Sequence, residues 1–495
     1  MNTTYGIVAI ALVAVATICI GSFGLRISRT TSDFYVASRS VSPVLNSSAI
    51  GGEYLSAASF LGVAGLVLSQ GAESLWFPIG WTTGYLLLLV LVAAPLRRSG
   101  AYTIPDFAQV RLQSSAGRRV ASILVVGVGW LYLMPQFQGA GLTMRTVTGA
   151  PGWVGTVLVA AIVVVNVVSG GMRSITFVQA FQYWLKLTAL LVPVFFLVHA
   201  WTSDGQPPPV APPDWLRPFA DPDAESMYRI YSVMIATFLG TMGLPHVVVR
   251  FYTNPDGHAA RRTTLIVLAL LGAFYLLPTV YGVLGRIYAS DLVAEGRADA
   301  VVLELPARLL GGSVGELLGA LLTAGAFAAF LSTSSGLTMA VAGVIGQALS
   351  HRRLLTSIAA VRLAALVGVL VPLTLALSAE RISVANSVTF AFALAASTFC
   401  PLLVLGIWWR GLTAPGAIAG LIGGGLSAGV SPIITIWVQP EGWLGLLALQ
   451  PAAWSVPLGF ALMVGVSLAT RSRLPADVSR TMVRLHTPEG VELQR

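Results

Sequence analysis

SAIGGEYLSAASFLG, residues 48–62, places a glutamate, Glu53, behind two glycines and ahead of Ser56 and Ser59, inside an apolar segment long enough to cross a membrane. Ionisable side chains are expensive within a span and turn toward a cavity or a partner, so Glu53 demands an explanation. Gly51 and Gly52 each weaken a helix by about 1 kcal/mol relative to alanine. An unwound turn here frees backbone carbonyls for a cation and exposes a half-helix N-terminus to an anion. Close packing through small residues explains most glycine pairs in spans. The adjoining carboxyl group moves the reading toward function.

The rest of the chain has the same apolar character. It holds 495 residues, 56% apolar and only 10% charged, whereas soluble domains carry about a quarter charged residues. Thirteen apolar segments are expected, near 5–25, 44–68, 75–96, 118–143, 152–170, 175–200, 229–249, 262–286, 312–347, 354–378, 383–409, 414–437 and 452–470. Each approaches or exceeds the roughly 20 residues a spanning helix needs. This is the composition of an all-α integral membrane protein.

The net charge of +9 does not point to nucleic acid, because the basic residues collect in alternate loops, as cytoplasmic loops do. Arg97, Arg98, Arg111, Arg118, Arg119, Arg261, Arg262, Arg352, Arg353 and the arginines after Arg471 all fall on one side if the N-terminus lies outside. The C-terminus is then cytoplasmic. The first span has no basic residue ahead of it and GLRISR behind it, so it reads as a retained helix and not as a signal peptide. Cys19 and Cys400 lie in spans without metal or redox spacing. The loop 201–226, rich in proline and acid, reads as extended or only locally ordered. Residues 287–311 form a second external loop, and the basic tail from Arg471 reads as a plain solvated end.

Three further interruptions stand out. In TFLGTMGLPHVVVRFYT, 237–253, Gly240, Gly243 and Pro245 cluster at one level of the seventh span, and His246 follows. Proline there removes a backbone hydrogen bond and frees a carbonyl, giving a second broken helix. In AGAFAAFLSTSSGLTMAV, 324–341, Ser332 to Ser335 include more hydroxyls than bonding back to their own helix explains. Hydroxyl and carbonyl oxygens suit a small hard cation. Lys186, the only lysine, lies in the sixth span and either snorkels to the interface or pairs with a buried carboxylate.

The broken spans, second and seventh, are five apart, and an odd separation inverts the repeat. Inverted repeats that each begin with a discontinuous helix are how many secondary transporters build a midplane site. The expected organisation is a single polytopic domain: an extra helix 5–25, a first repeat 44–200, a second 229–409, two helices within 414–470 and the tail 471–495.

DFYVASRSVSPVLNSSAIGGEYLSAASFLG, GAYTIPDFAQVRL, VSGGMRSITFVQAFQ and GLPHVVVRFYT, in this order, resemble the sodium:solute symporter family over about residues 30–440. GEYLSAASFLG, LYLMPQFQGAG and FLSTSSGLTM are closest in look to its cation:acetate or monocarboxylate symporters. The resemblance implies about 13 transmembrane helices, the five-plus-five inverted repeat of a leucine-transporter-like fold, and alternating access. It implies a sodium site from the carbonyls of Gly52, Leu55 and Ala329 with the hydroxyls of Ser332 and Thr333. It puts substrate near Tyr54, Ser56, Gln136, Gly240, Thr241 and Gly243. Glu53, Lys186 and His246 remain as residues that tune charge or carry a proton. Sugar-transporting members carry a glutamate where Gly80 stands before Trp81, which argues against a hexose; they also carry an acid on the cation exit path where Gln179 stands, and its absence here counts against sodium release and, with Lys186 nearby, leaves proton coupling open.

The expected function is therefore a secondary active symporter, not an enzyme, in the bacterial cytoplasmic membrane. It couples inward sodium or proton movement to uptake of a small monocarboxylate such as acetate, propionate or pyruvate. Proline or pantothenate is the alternative within the family. Against an enzyme, the five histidines are scattered and no metal, nucleophile or phosphate motif is present. Against a sensor, no sizeable soluble segment follows the last span.

Overall fold

The computed structural model describes residues 3–25, 37, 40–219, 223–351, 357–378 and 384–488. Most of DFYVASRS, together with Arg352 and Arg353, lies outside these. Helices occupy the apolar runs and one of the segments between them, 104–112: α1 (Thr3–Leu25), α2 (Pro43–Tyr54), α3 (Val63–Gln70), α4 (Trp76–Leu87), α5 (Ala93–Arg98), α6 (Ile104–Leu112), α7 (Ser115–Thr148), α8 (Gly152–Ser203), α9 (Ala224–Gly243) and α10 (Pro245–Phe251). The second half continues with α11 (Gly257–Tyr288), α12 (Asp291–Ala294), α13 (Val301–Leu309), α14 (Gly312–His351), α15 (Ser357–Ser378), α16 (Val384–Trp408), α17 (Ala414–Ile433), α18 (Gly442–Leu449), α19 (Ala452–Ala469) and α20 (Val478–His486). No strand occurs among the described residues.

Local chemistry sets where these helices start. The side chains of Ser42, Thr103, Asp223, Asp256 and Thr413 each accept a hydrogen bond from a first-turn N–H, and at the first, second and last of these a proline follows at the head of the helix. Such caps satisfy donors that have no partner within the helix.

Eleven helices among the described residues are long and apolar enough to span, or up to twelve if α9 and α10, bent by 42°, make one span. The thirteen expected from the sequence divide the continuous run Ala58–Arg98 in two. The division falls at Gly71, whose φ of 71° and ψ of −141° end α3. α8 holds the fifth and sixth expected spans, and Gly171 (φ 62°, ψ −172°) kinks it between them. The long α14 and α16 form the middle of the molecule, with 89% of the Ser387–Trp408 window buried against 28% for α1. Leu12, Ile123, Phe195, Leu276 and Leu426 are exposed on peripheral helices. An apolar outer surface of this extent is what a lipid-facing protein needs.

The tail corrects the sequence expectation. Residues 471–488 are not a plain solvated end, because α20 packs on α5 with Met482 and Leu485 buried. Its Arg484 Nε donates to the Arg98 carbonyl (3.2 Å), and His486 stacks edge-on against Trp408 at 4.9 Å. The two buried apolar residues sit three apart on one helical face, which outweighs the surrounding charge. Of the expected 201–226 loop, residues 201–203 finish α8 and 224–226 begin α9; between them the described residues are non-helical apart from one short turn at Pro213–Leu216. The 287–311 segment is helical in part, and its charges pair: Arg308 with Asp291 (2.6 Å) and Glu304 (2.8 Å), and Arg297 with Glu295 (2.9 Å).

Candidate functional site

The site is built where α2 stops. Leu55, at φ −73° and ψ 89°, leaves helical geometry, and the chain resumes a helix through a π turn at Ala58–Gly62. This is the break expected from GGEYLS. Gly52 is required there by a close approach: a Cβ at position 52 would collide with the Gln179 carbonyl of α8.

The unwound turn exposes carbonyls, and a lysine ammonium meets them. Lys186 Nζ, fully buried, donates to the carbonyls of Gly52 (2.5 Å) and Leu55 (2.6 Å) and to Ser332 Oγ (3.1 Å). Ser332 Oγ in turn donates to the Ala329 carbonyl (3.0 Å), and Thr333 Oγ1 donates to the Glu53 carbonyl (2.6 Å). All five residues expected around a cation therefore gather at the break. Three of them face Lys186.

Glu53 does not pair with Lys186. Arg250, at the end of α10, donates from Nε to Glu53 Oε2 at 2.6 Å, with both side chains buried. Arg250 also donates to Thr176 Oγ1 (2.8 Å) and to Gln179 Oε1. Gln179 Nε2 closes the chain by donating to the Ser332 carbonyl (2.8 Å). Gly336 leaves the space the Glu53 carboxylate fills, since a Cβ there would meet Oε1. Arg250 went unrecognised in the sequence because a basic residue at the end of a span reads as an interfacial anchor.

The residues expected around substrate lie on the other side of the break. Tyr54 Oη shares a hydrogen bond with Thr241 Oγ1 (2.8 Å), and its ring meets Tyr85 edge-on at 4.9 Å. Trp81, Tyr132 and Tyr275 complete an aromatic cluster about Phe392, with Trp81–Phe392 at 5.9 Å and Tyr132–Phe392 at 5.7 Å. Gln136 Oε1 accepts from the Ala57 N–H (2.9 Å), capping the second half-helix. Ser56 is buried beside the Tyr132 hydroxyl. Gly240 and Gly243 let α9 pass close to α16, their Cβ positions falling on the carbonyls of Phe392 and Ala395. His246 is buried edge-on to Tyr132 at 5.2 Å, and neither ring nitrogen has a hydrogen-bond partner among the described residues. At Gly80 a side chain would strike Thr237, so the glutamate of sugar-transporting members does not fit this packing.

A cavity of about 410 Å³ opens at the end of the molecule that carries residues 287–311, lined by Ser69, Gln138, Arg145, Thr156, Arg297 and Asp299. Burial pushes the Asp299 carboxyl up to about 6, while the Val384 N–H at 3.4 Å favours its ionised form. Among the described residues no group of three or more His, Cys, Asp or Glu is placed to hold a metal.

Comparison with known proteins gives four consistent findings. A family profile described as "Sodium:solute symporter family" matches residues 34–424. An uncharacterized symporter of Bacillus subtilis, YwcA, is 30% identical over 526 residues, covering all of both chains. A protein of Corynebacterium glutamicum named monocarboxylic acid transporter is 30% identical, covering 94% of this chain and 92% of its own. Among solved structures, a Na⁺-coupled sialic acid symporter in a substrate-bound outward-open state matches with a TM-score of 0.71 at 13% identity, over 94% of this chain and 98% of that one. The likeness shows the fold, which is the all-α, leucine-transporter-like one expected above.

Proposed function

We propose that this chain, which belongs to the sodium:solute symporter family, takes up a small monocarboxylate such as acetate, propionate or pyruvate together with a cation, sodium or proton. The observation that carries the reading is the break after Tyr54. It turns the carbonyls of Gly52 and Leu55 toward a cationic group, and it starts a second half-helix at Ala57 beside Gln136. Carbonyl oxygens stabilise a cation, and a helix N-terminus stabilises an anion. One broken helix thus supplies both halves of a cation–carboxylate site. In this reading the substrate sits among Tyr54, Ser56, Gln136 and Thr241, along the backbone of Gly240 and Gly243. An anion in a dry cavity requires compensating charge, and the Lys186, Glu53 and Arg250 cluster beside the break carries a net positive charge when all three are ionised. The name of the Corynebacterium relative supports a carboxylate over other solutes.

In the same reading the protein lies in the bacterial cytoplasmic membrane with its N-terminus outside, and the cavity at Arg145 and Arg297 then opens to the exterior. Uptake by proteoliposomes tests the reading. Labelled acetate, propionate or pyruvate is expected to accumulate above equilibrium under an imposed inward sodium or proton gradient. Accumulation of proline or pantothenate in their place replaces the carboxylate reading with the alternative.

A further inference from the structure

We infer that the Lys186 ammonium is a built-in cation that fills the place of the sodium ion at the helix break, so that this symporter works without sodium. The inference rests on the symporter reading above and names its coupling ion.

An ammonium has three donors and no acceptor. Those of Lys186 meet three oxygens, from Gly52, Leu55 and Ser332, at 2.5, 2.6 and 3.1 Å. Two of these are backbone carbonyls released by the break, and the third is a hydroxyl on α14. A sodium ion seeks the same hard oxygens, and one cage does not hold two cations side by side.

The charges around the cage agree. Glu53 on α2 is the acid that faces Lys186, and its carboxylate is already bonded to Arg250 of α10. One buried carboxylate therefore faces two buried cations, and a sodium ion makes a third. Residue 179, where the resemblance places an acid in sugar-transporting members, is a glutamine that joins Arg250 to the Ser332 carbonyl. The other groups around Lys186 add no charge to offset it. Tyr183, one turn earlier on α8, lies against Gly51 and bonds the Leu270 carbonyl. Tyr281 of α11 bonds the Leu190 carbonyl. Gln182 faces Thr17 of α1. With sodium excluded from the break, the proton is the remaining coupling ion.

Two measurements on the purified full-length protein test this separately from the substrate assignment. In the first, melting is followed as choline chloride is exchanged for sodium chloride at constant ionic strength. A ligand that binds the folded state raises the melting temperature with its concentration. The wild type is expected to show no saturable sodium-dependent rise, and Lys186→Ala, whose cage is open, is expected to show one. A saturable rise in the wild type overturns the inference, as does a cooperatively melting Lys186→Ala that ignores sodium. If Lys186→Ala does not fold, the wild-type result decides.

In the second, wild-type proteoliposomes under a fixed inward proton gradient take up labelled acetate, propionate and pyruvate with choline or sodium outside. Rates within twofold of each other are expected, and a tenfold increase with sodium overturns the inference. Should none of the three acids accumulate under either gradient, the carboxylate reading fails, and the melting experiment still decides the role of Lys186.

Discussion

At Glu53 the sequence posed a question of partner, and the structure answers it with Arg250, 197 residues away. A lysine in a neighbouring span was the obvious candidate, yet Lys186 is spent on carbonyls. The two cations cannot be treated as independent of a third: two unit charges 4 Å apart repel by about 4 kcal/mol even at an effective dielectric constant of about 20. Breaking a buried ion pair by removing one partner costs about 3–5 kcal/mol, because the other charge is left uncompensated. Glu53→Leu and Arg250→Met are therefore each expected to lower the melting temperature sharply. The double change is expected to lose clearly less than the sum of the two, and additive losses would show that the pair does not act as a unit. Gly52 was legible as a helix breaker. That it must also admit the backbone of α8 was not, because only folding brings Gln179 beside it.

Among elements, both broken helices were readable because glycine and proline weaken a helix wherever the chain goes. The break after Tyr54 and the 42° bend between α9 and α10 follow from GGEYLS and GLP. The tail helix was misread because its arginines were counted and the spacing of Met482 and Leu485 was not. The segment between α11 and α14 is also more ordered than a charged loop suggests, and it brings Asp299 to the cavity wall. Asp299 titrates near 6 against an ordinary value of 3.8, which has a definite sign. In the window from about pH 4 to pH 6 the folded protein holds a proton that the unfolded chain has released, so stability falls as pH rises through it and levels off above. Asp299→Asn removes this dependence. The melting temperature of the wild type relative to the variant is expected to drop between pH 4 and 6 and then stay constant; an unchanged difference across that range would contradict the burial of this carboxyl.

For the whole molecule, the distribution of arginines predicts a direction across the membrane, and this is open to direct measurement. Ser203 and Ser472 are exposed at the end of α8 and just after α19. In a background where Cys19 is replaced by alanine, a membrane-impermeant maleimide is expected to label Ser203→Cys in intact cells. Ser472→Cys is expected to react only after the membrane is opened. The reverse pattern would invert the topology and move the Arg145 and Arg297 cavity to the cytoplasmic side. Direction also bears on driving force. Each elementary charge crossing 100 mV is worth about 2.3 kcal/mol, so a monovalent anion entering with one cation gains nothing from the membrane potential. Concentration gradients alone then drive a one-to-one cotransport.

Local sequence was sufficient for the spans, their breaks, the caps and the class of protein, since hydrophobic length, glycine, proline and hydroxyl spacing act within a few residues of chain. It also placed Gly52, Leu55, Ala329, Ser332 and Thr333 in one group through family resemblance, and the fold gathers them at the break. Which cation those oxygens meet was beyond it. Lys186 reaches the break because α8 packs against α2 and α14, and Arg250 reaches Glu53 because the bent α10 turns inward. A buried charge has its function decided by its neighbours, and those neighbours come from helices more than 70 residues apart in the chain. Only tertiary packing puts them within hydrogen-bond distance, where desolvation makes every pairing count.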